Sequence, residues 1–176
     1  MDKYINDPFM NRERVKDRLR NEFKIYGKLI IAYDFDYTVH NFHDEGYSYE
    51  FVSDLLRRWR PYAYLIVFSA SPESRFKYIK DYLDSKGIPF DTINSEVIKR
   101  DYTRKVYYNV FLDDRAGLGE TAEILFELIE EIEKGTLKFE DYSYFGNLSQ
   151  YEKMVVETLR KEGMSDKDIL ESLKVM

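Results

Sequence analysis

Residues 28–34 read KLIIAYD, and the chain continues through Phe35, Asp36, Tyr37 and Thr38. An unbroken apolar run of strand length that ends in carboxylates is the pattern of a strand buried on both faces, and such strands belong to parallel sheets. Gly27 separates this run from what precedes it. The same signature recurs at residues 62–69 (YAYLIVFS) after Pro61 and at 107–114 (YYNVFLDD), with a weaker instance at 90–94 after the Gly87-Ile88-Pro89 turn. Helical patterns fill the intervals at 49–58, 72–86 and 119–133. In the last of these, Leu125, Leu128, Ile129 and Ile132 form a stripe opposite Glu123, Glu127, Glu130 and Glu131. Strand and helix alternate, which predicts an α/β fold: a three-layer, Rossmann-like arrangement with a mostly parallel central sheet, right-handed crossovers and helices on both faces.

Toward the N-terminus, Val15, Leu19 and Phe23 recur at helical spacing within residues 8–24, with Arg12, Arg14, Lys16, Arg18 and Arg20 on the remaining faces. This basic face reads as solvated surface. Beyond Gly135, residues 137–145 read as an edge strand or a loop and 151–161 as a helix. Ser165-Asp166-Lys167-Asp168 has the form of a capping box opening a last short helix. The whole reads as a single domain over 1–176, with an N-terminal amphipathic helix (1–27), a catalytic core (28–135) and a helical C-terminal extension (136–176). The 176 residues are 44% apolar, 16% aromatic and 34% charged, a composition that folds rather than staying disordered. There is no cysteine, which excludes disulfides, thiolate metal sites and cysteine nucleophiles. The formal charge of −6 gives no global attraction to nucleic acid. With no basic-then-apolar leader and no apolar run of about 18 residues, the expectation is a soluble cytoplasmic protein without a membrane partner.

In an open parallel sheet, ligands bind beyond the carboxyl ends of the strands. The first strand ends in Asp34-Phe35-Asp36-Tyr37-Thr38, the second in Ser69-Ala70-Ser71, and the 107–114 strand in Asp113-Asp114-Arg115, with Lys105 just before it. Carboxylates gathered at one rim repel one another without a cation, and an all-oxygen donor set suits Mg²⁺. Beside such a metal and Lys105, one aspartate stays ionised as a nucleophile while its neighbour holds a proton for the leaving group. Ser69 and Lys105 then bind the oxygens of a transferring phosphoryl group.

These residues, in this order, resemble the four motifs of the haloacid dehalogenase superfamily: D-x-D-x-T after an apolar strand, Ser69 closing VFSAS, Lys105, and Asp113-Asp114-Arg115-Ala116 eight positions later. The resemblance spans residues 28–119 and fits compact members with a K-x7-D-D-R-A ending. It implies that Asp34 attacks phosphorus to form an aspartyl-phosphate and that Asp36 serves as general acid and then base. It further implies that Mg²⁺ is held by Asp34, the Asp36 backbone carbonyl, Asp113 and Asp114, that Thr38 supports the first loop, and that Ser69 and Lys105 bind the phosphoryl oxygens. An aspartate at position 36 points to a phosphatase or phosphotransferase rather than a dehalogenase.

Tyr37 stands where the family usually has glycine, and its ring narrows the entrance, stacks on a base or packs. Only 30 residues separate Thr38 from Ser69 and 35 separate Ser69 from Lys105, which leaves no room for a cap domain. Open members of this kind often act on macromolecular or extended phosphates, so a nucleotide or polynucleotide 3′-phosphate is the favoured substrate, with phosphoproteins or small metabolites as alternatives. Arg75 and Arg115 are candidates for binding the substrate, against a solvated side chain and a structural salt bridge respectively. His40 and His43 read as loop residues, with a substrate-facing flap as their functional option. Tyr47, Tyr49, Phe51 and Trp59 read as packing, with base stacking as the alternative. Lys99, Arg100 and Arg104 form a basic strip that is either surface or a guide for a polyanion, and the acidic helix 119–133 would repel one. A non-catalytic binding protein on the same fold is the competing reading. A response-regulator receiver is disfavoured by the order of its acids and lysine, and a P-loop kinase is excluded because no G-x-x-x-x-G-K-[ST] occurs.

Overall fold

Helix α1 (Arg12–Tyr26) starts at Asn11, whose side chain accepts the Arg14 N–H, and stops at Gly27, whose φ of 69° closes the last turn onto the Phe23 carbonyl. A Cβ on Gly27 would stand 3.0 Å from the Phe139 ring, so both conformation and space require glycine there. The computed structural model describes residues 7, 9–98, 105–139, 150–166 and 168–169. After α1 come β1 (Leu29–Tyr33), α2 (Glu50–Trp59), β2 (Ala63–Val67), a single 3₁₀ turn (Glu73–Arg75) leading into α3 (Phe76–Lys86), β3 (Thr92–Ile93), β4 (Val110–Leu112) and α4 (Leu118–Glu133). The four strands form one all-parallel sheet in the order β3-β2-β1-β4, flanked by helices in the Rossmann-like α/β arrangement that the alternation predicts. The stretch between Thr38 and Ser69 holds only loop, α2 and β2.

The edge strands are shorter than predicted: 107–114 contracts to Val110–Leu112 and 90–94 to Thr92–Ile93. Side chains take over where the ladder ends. Asn109 donates its N–H to Ile30 O (2.8 Å) and accepts Ile30 N–H on Oδ1 (2.6 Å). Asp91 does the same with Leu65, at 2.7 Å both ways. A side-chain oxygen that copies a backbone carbonyl satisfies the central strand without a further strand residue, and an apolar-run reading does not register it. The helix predicted at 72–86 likewise begins as a 3₁₀ turn after Pro72. Residues 137–139 carry no strand, and the rest of 137–145 lies outside the described residues.

One face of the sheet (Leu29, Ile31, Tyr33, Leu65 and Val67) shares a single apolar core with α1 to α4. The other face (Ile30, Ala32 and Ile66) is covered by Val97, Val106, Tyr108 and Phe111, from the chain between β3 and β4 and from β4 itself. The basic face of α1 is not merely solvated. Arg12 meets Glu120 (2.7 Å) and Glu127 (2.8 Å), the largely buried Lys16 pairs with Glu127, and Arg20 grips Glu131 at 2.6 and 2.8 Å. The acidic face of α4 and the basic face of α1 therefore neutralise each other. Periodicity says which residues share a face but not which helix that face meets.

Two compact units divide the chain after Phe139. In the second, α5 (Gln150–Lys161) is followed by Gly163, and Ser165 Oγ accepts the Asp168 N–H at 3.2 Å as a capping residue does. Val156 and Ile169 make a small core there with Leu159 and Met164. No helix among the described residues is long and apolar enough to cross a membrane.

Candidate active site

Parallel neighbours in register deliver their next residues side by side. Tyr33 of β1 pairs with Leu112 of β4, so Asp34 and Asp113 leave the sheet together, and Asp34 N–H donates to Leu112 O at 2.9 Å. Oxygens of Asp34, Asp113 and Asp114 lie within 4.8 Å of one another. Partial burial, then the charges of Asp113, Asp114 and Asp36, push the Asp34 carboxyl up to about 6, against the pull of the Phe35 backbone N–H. On the other side of β1, Val67 is in register with Tyr33, and the chain then reaches Ser69, which is buried and lines the same cleft. Asn94, at φ 50°, fixes that corner: its Oδ1 accepts Ser69 N–H (2.9 Å) and its Nδ2 donates to Ser69 O (2.7 Å). Ser69 Oγ accepts the Ser71 N–H at 3.2 Å. Nothing in the sequence reading singled out Asn94; its signal is an amide directly after a short strand.

The cleft has a volume of about 770 Å³ and collects Asp34, Asp36, Ser69, Asp113, Asp114 and Arg115 among its lining residues. The Arg115 side chain is 89% exposed, its Nε lies 3.9 Å from Asp114 Oδ2, and its backbone N–H donates to Asp113 Oδ1 at 2.8 Å. Lys105 is exposed and does not line the cleft. Lys99, Arg100 and Arg104 lie outside the described residues. Thr38 is fully buried in the first loop, and its Oγ1 has no hydrogen-bond partner among the described residues.

Asp36 is held differently from Asp34. Arg75 clamps its carboxylate with two bonds, Nη1 to Oδ2 (2.6 Å) and Nη2 to Oδ1 (3.0 Å), and His40 Nδ1 shares Oδ1 at 2.8 Å. His40 is buried, stacks on Phe35 at 4.7 Å, and meets the Tyr78 hydroxyl through Nε2 at 3.0 Å. Arg75 thus serves the first loop where the sequence suggested a phosphate. His40, read as a loop residue, is part of an Asp36–His40–Tyr78 chain. Both oxygens of the Asp36 carboxylate are thus engaged by Arg75 and His40, so an acid role for Asp36 toward a leaving group requires the Arg75 contact to give way. Tyr37 adopts φ 59°, the left-handed region where glycine is at ease and a tyrosine costs about 1 kcal/mol. Its ring lines the cleft, 6.2 Å from Phe42 and 5.7 Å from His43.

Of the rings that read as packing from sequence, with stacking as the alternative, Trp59 is fully buried with its Nε1 on Leu125 O (3.1 Å), and Phe51 leans on Phe126 at 5.9 Å. The sheet rings that do line the cleft are Phe68 and Phe111. Strand alternation was the available signal, since Phe68 lies two residues past Ile66.

The trio Asp34, Asp113 and Asp114 fits Mg²⁺: every donor is a hard carboxylate oxygen, and the three are spaced to share one ion. The Asp36 carboxylate, taken by Arg75, is outside this trio.

No family model matches the chain, and no curated protein matches it. A solved structure of a conserved protein from Bacteroides thetaiotaomicron is similar, with 23% sequence identity and a TM-score of 0.49, over 62% of this chain and 96% of that one.

Proposed function

We propose that this protein is a cytoplasmic, Mg²⁺-dependent phosphomonoester hydrolase of the haloacid dehalogenase type, with a nucleotide or a polynucleotide 3′-phosphate as its favoured substrate. The observation that carries the reading is the convergence of Asp34, Asp113 and Asp114 at the carboxyl ends of β1 and β4, beside Ser69 at the end of β2. Mg²⁺ bound by the trio would neutralise charge on the phosphoryl oxygens and favour ionised Asp34. An Asp34 oxygen attacks phosphorus, the bond from phosphorus to the leaving oxygen breaks, and that oxygen takes a proton from Asp36. Water then attacks the aspartyl-phosphate, gives its proton to Asp36, and releases phosphate with Asp34 restored. Ser69 holds phosphoryl oxygens, and Lys105 enters this scheme only by moving into the cleft.

That position of Lys105, together with the Arg75 clamp on Asp36, favours a second reading: a non-catalytic protein that binds a phosphorylated ligand in the same cleft. Phosphate release from nucleotides, sugar phosphates, phosphopeptides and 3′- or 5′-phosphorylated oligonucleotides, with Mg²⁺, with chelator and with Asp34→Asn, separates the two. Release that needs both Mg²⁺ and Asp34 supports the hydrolase. Activity surviving Asp34→Asn overturns the aspartyl-phosphate mechanism, and inertness toward every ester favours the binding protein.

A further inference from the structure

The cleft contains more aromatic surface than a phosphoryl group can use. Phe68 directly precedes Ser69, Phe111 stands two residues before Asp113, and both rings line the cleft. They pack edge to face with centroids 5.7 Å apart, and Tyr108 supports them at 6.2 and 5.3 Å. Phe111 is in register with Ala32 in the sheet, and Phe68 follows β2 with its N–H on Tyr33 O (2.9 Å), so both rings stand on rigid backbone. Phe68 is nonetheless 36% exposed. A second ring group, Tyr37, Phe42 and His43, borders the same cleft, and Phe42 is 47% exposed.

A ligand that covers these rings while placing a phosphate by Ser69 and the carboxylate trio must carry a planar apolar face joined to its phosphate through a spacer. A sugar phosphate has no such face. A single aryl ring bonded straight to the phosphate has no spacer between its face and the phosphate. A nucleoside phosphate has the face, the spacer and the bulk. Among the described cleft-lining residues Arg115 is the one with a permanent positive charge.

We propose that Phe68 and Phe111 form a base-stacking platform and that the cleft takes a nucleoside monophosphate, free or as the terminal nucleotide of a single strand. For turnover this rests on the hydrolase reading above; for binding it does not. Because every base has a π-face, the platform accepts all four bases with small preferences.

The test has a catalytic and a binding arm. kcat/KM is measured for AMP, TMP, ribose 5-phosphate and phosphotyrosine, and calorimetry with Asp34→Asn measures affinity for the same four compounds in Mg²⁺. Nucleotides are expected to exceed ribose 5-phosphate by roughly tenfold or more. Phe68→Leu and Phe111→Leu should each shrink that gap several-fold, with the larger loss on the nucleotides. Phe68→Leu alters an exposed ring, so it keeps the test valid if Phe111→Leu fails to fold. A 3′-phosphorylated trinucleotide run beside AMP tells a strand end from a free nucleotide. Equal handling of ribose 5-phosphate and nucleotides, a preference for phosphotyrosine, or a gap that survives in the folded variants overturns the platform. If wild type hydrolyses nothing while the calorimetric gap appears and narrows in the variants, the hydrolase reading falls and the platform stands.

Discussion

The glutamates of α4 and the aspartates at the strand ends are similar acids in opposite circumstances. Glu127 accepts Arg12 at 2.8 Å and is also paired with Lys16, which brings its carboxyl down to about 2. Arg20 lowers Glu131, Arg58 lowers Glu133, and Lys134, with Arg58, lowers Glu130. At the strand ends the direction reverses: Asp34 rises to about 6 through partial burial and the nearness of Asp113, Asp114 and Asp36. Asp36, two residues away, is matched to a cation as those glutamates are, because Arg75 clamps it. A chain that matches acid to cation across its helices, and even within the first loop, leaves three carboxylates crowded at one point, with Arg115 the one cation that borders the cleft among the described residues. Net charge counts both groups alike; only the second is unstable without a cation, which is why the function is sought there.

The sharpest way to break this contrast is to neutralise one acid from each group. Asp34→Asn is expected to lower phosphate release by at least roughly a thousandfold, the scale of losing a nucleophile, while Glu127→Gln leaves it within about twofold. Equal losses, read in a phosphate-release assay with folded protein, would erase the distinction. Next in size is the response to metal. At a hundredfold excess over its Kd, a ligand of the native state stabilises by about 2.7 kcal/mol, a rise in Tm of roughly 5–10 °C for a chain of this size. Calorimetric melts should show such a rise with Mg²⁺ in wild type, little in Asp113→Ala, and the full rise in Glu127→Gln.

Much of this contrast was legible in the sequence, and its limits have physical causes. β1 and β2 could be read because each is an unbroken apolar run at the centre of the sheet. Their ends, with those of β4, located Asp34, Ser69, Asp113 and Asp114. The extents of β3 and β4 could not be read, since the apolar runs continue through Asp91 and Asn109, whose side-chain oxygens replace backbone carbonyls where the ladder ends. The pairing of Asp36 with Arg75 spans 39 positions and depends on the 3₁₀ turn at Glu73–Arg75, for which no periodic signal exists. The matching of α1 with α4 was hidden for a related reason: each charged face looks like solvent-facing surface until the other is brought against it.

Smaller effects test the paired side of the comparison. Arg20→Met removes a two-bond contact with Glu131 on a partly shielded surface and should cost about 1 kcal/mol, measured by urea denaturation. The subtlest effect is in the pH dependence of stability, where the two groups should have opposite signs. Asp34 has a native pKa of about 6 against an ordinary 3.8, so the metal-free native state holds its proton more tightly than the unfolded chain. The contribution is present below about pH 4 and lost as pH rises through 6. Glu127, at about 2 against 4.5, stabilises above about pH 4.5 and loses that contribution as pH falls toward 2. In chelator, thermal melts from pH 2 to 8 should therefore show Asp34→Asn gaining on wild type between pH 4 and 6, and Glu127→Gln falling behind wild type as pH rises from 2 to 4.5. Solvent screening keeps the Asp34 gap under about 1 kcal/mol, so the sign and the pH window are decisive. An Asp34→Asn gap that is flat with pH would mean that the three carboxylates do not strain one another, and Mg²⁺ would then have no electrostatic reason to sit among them.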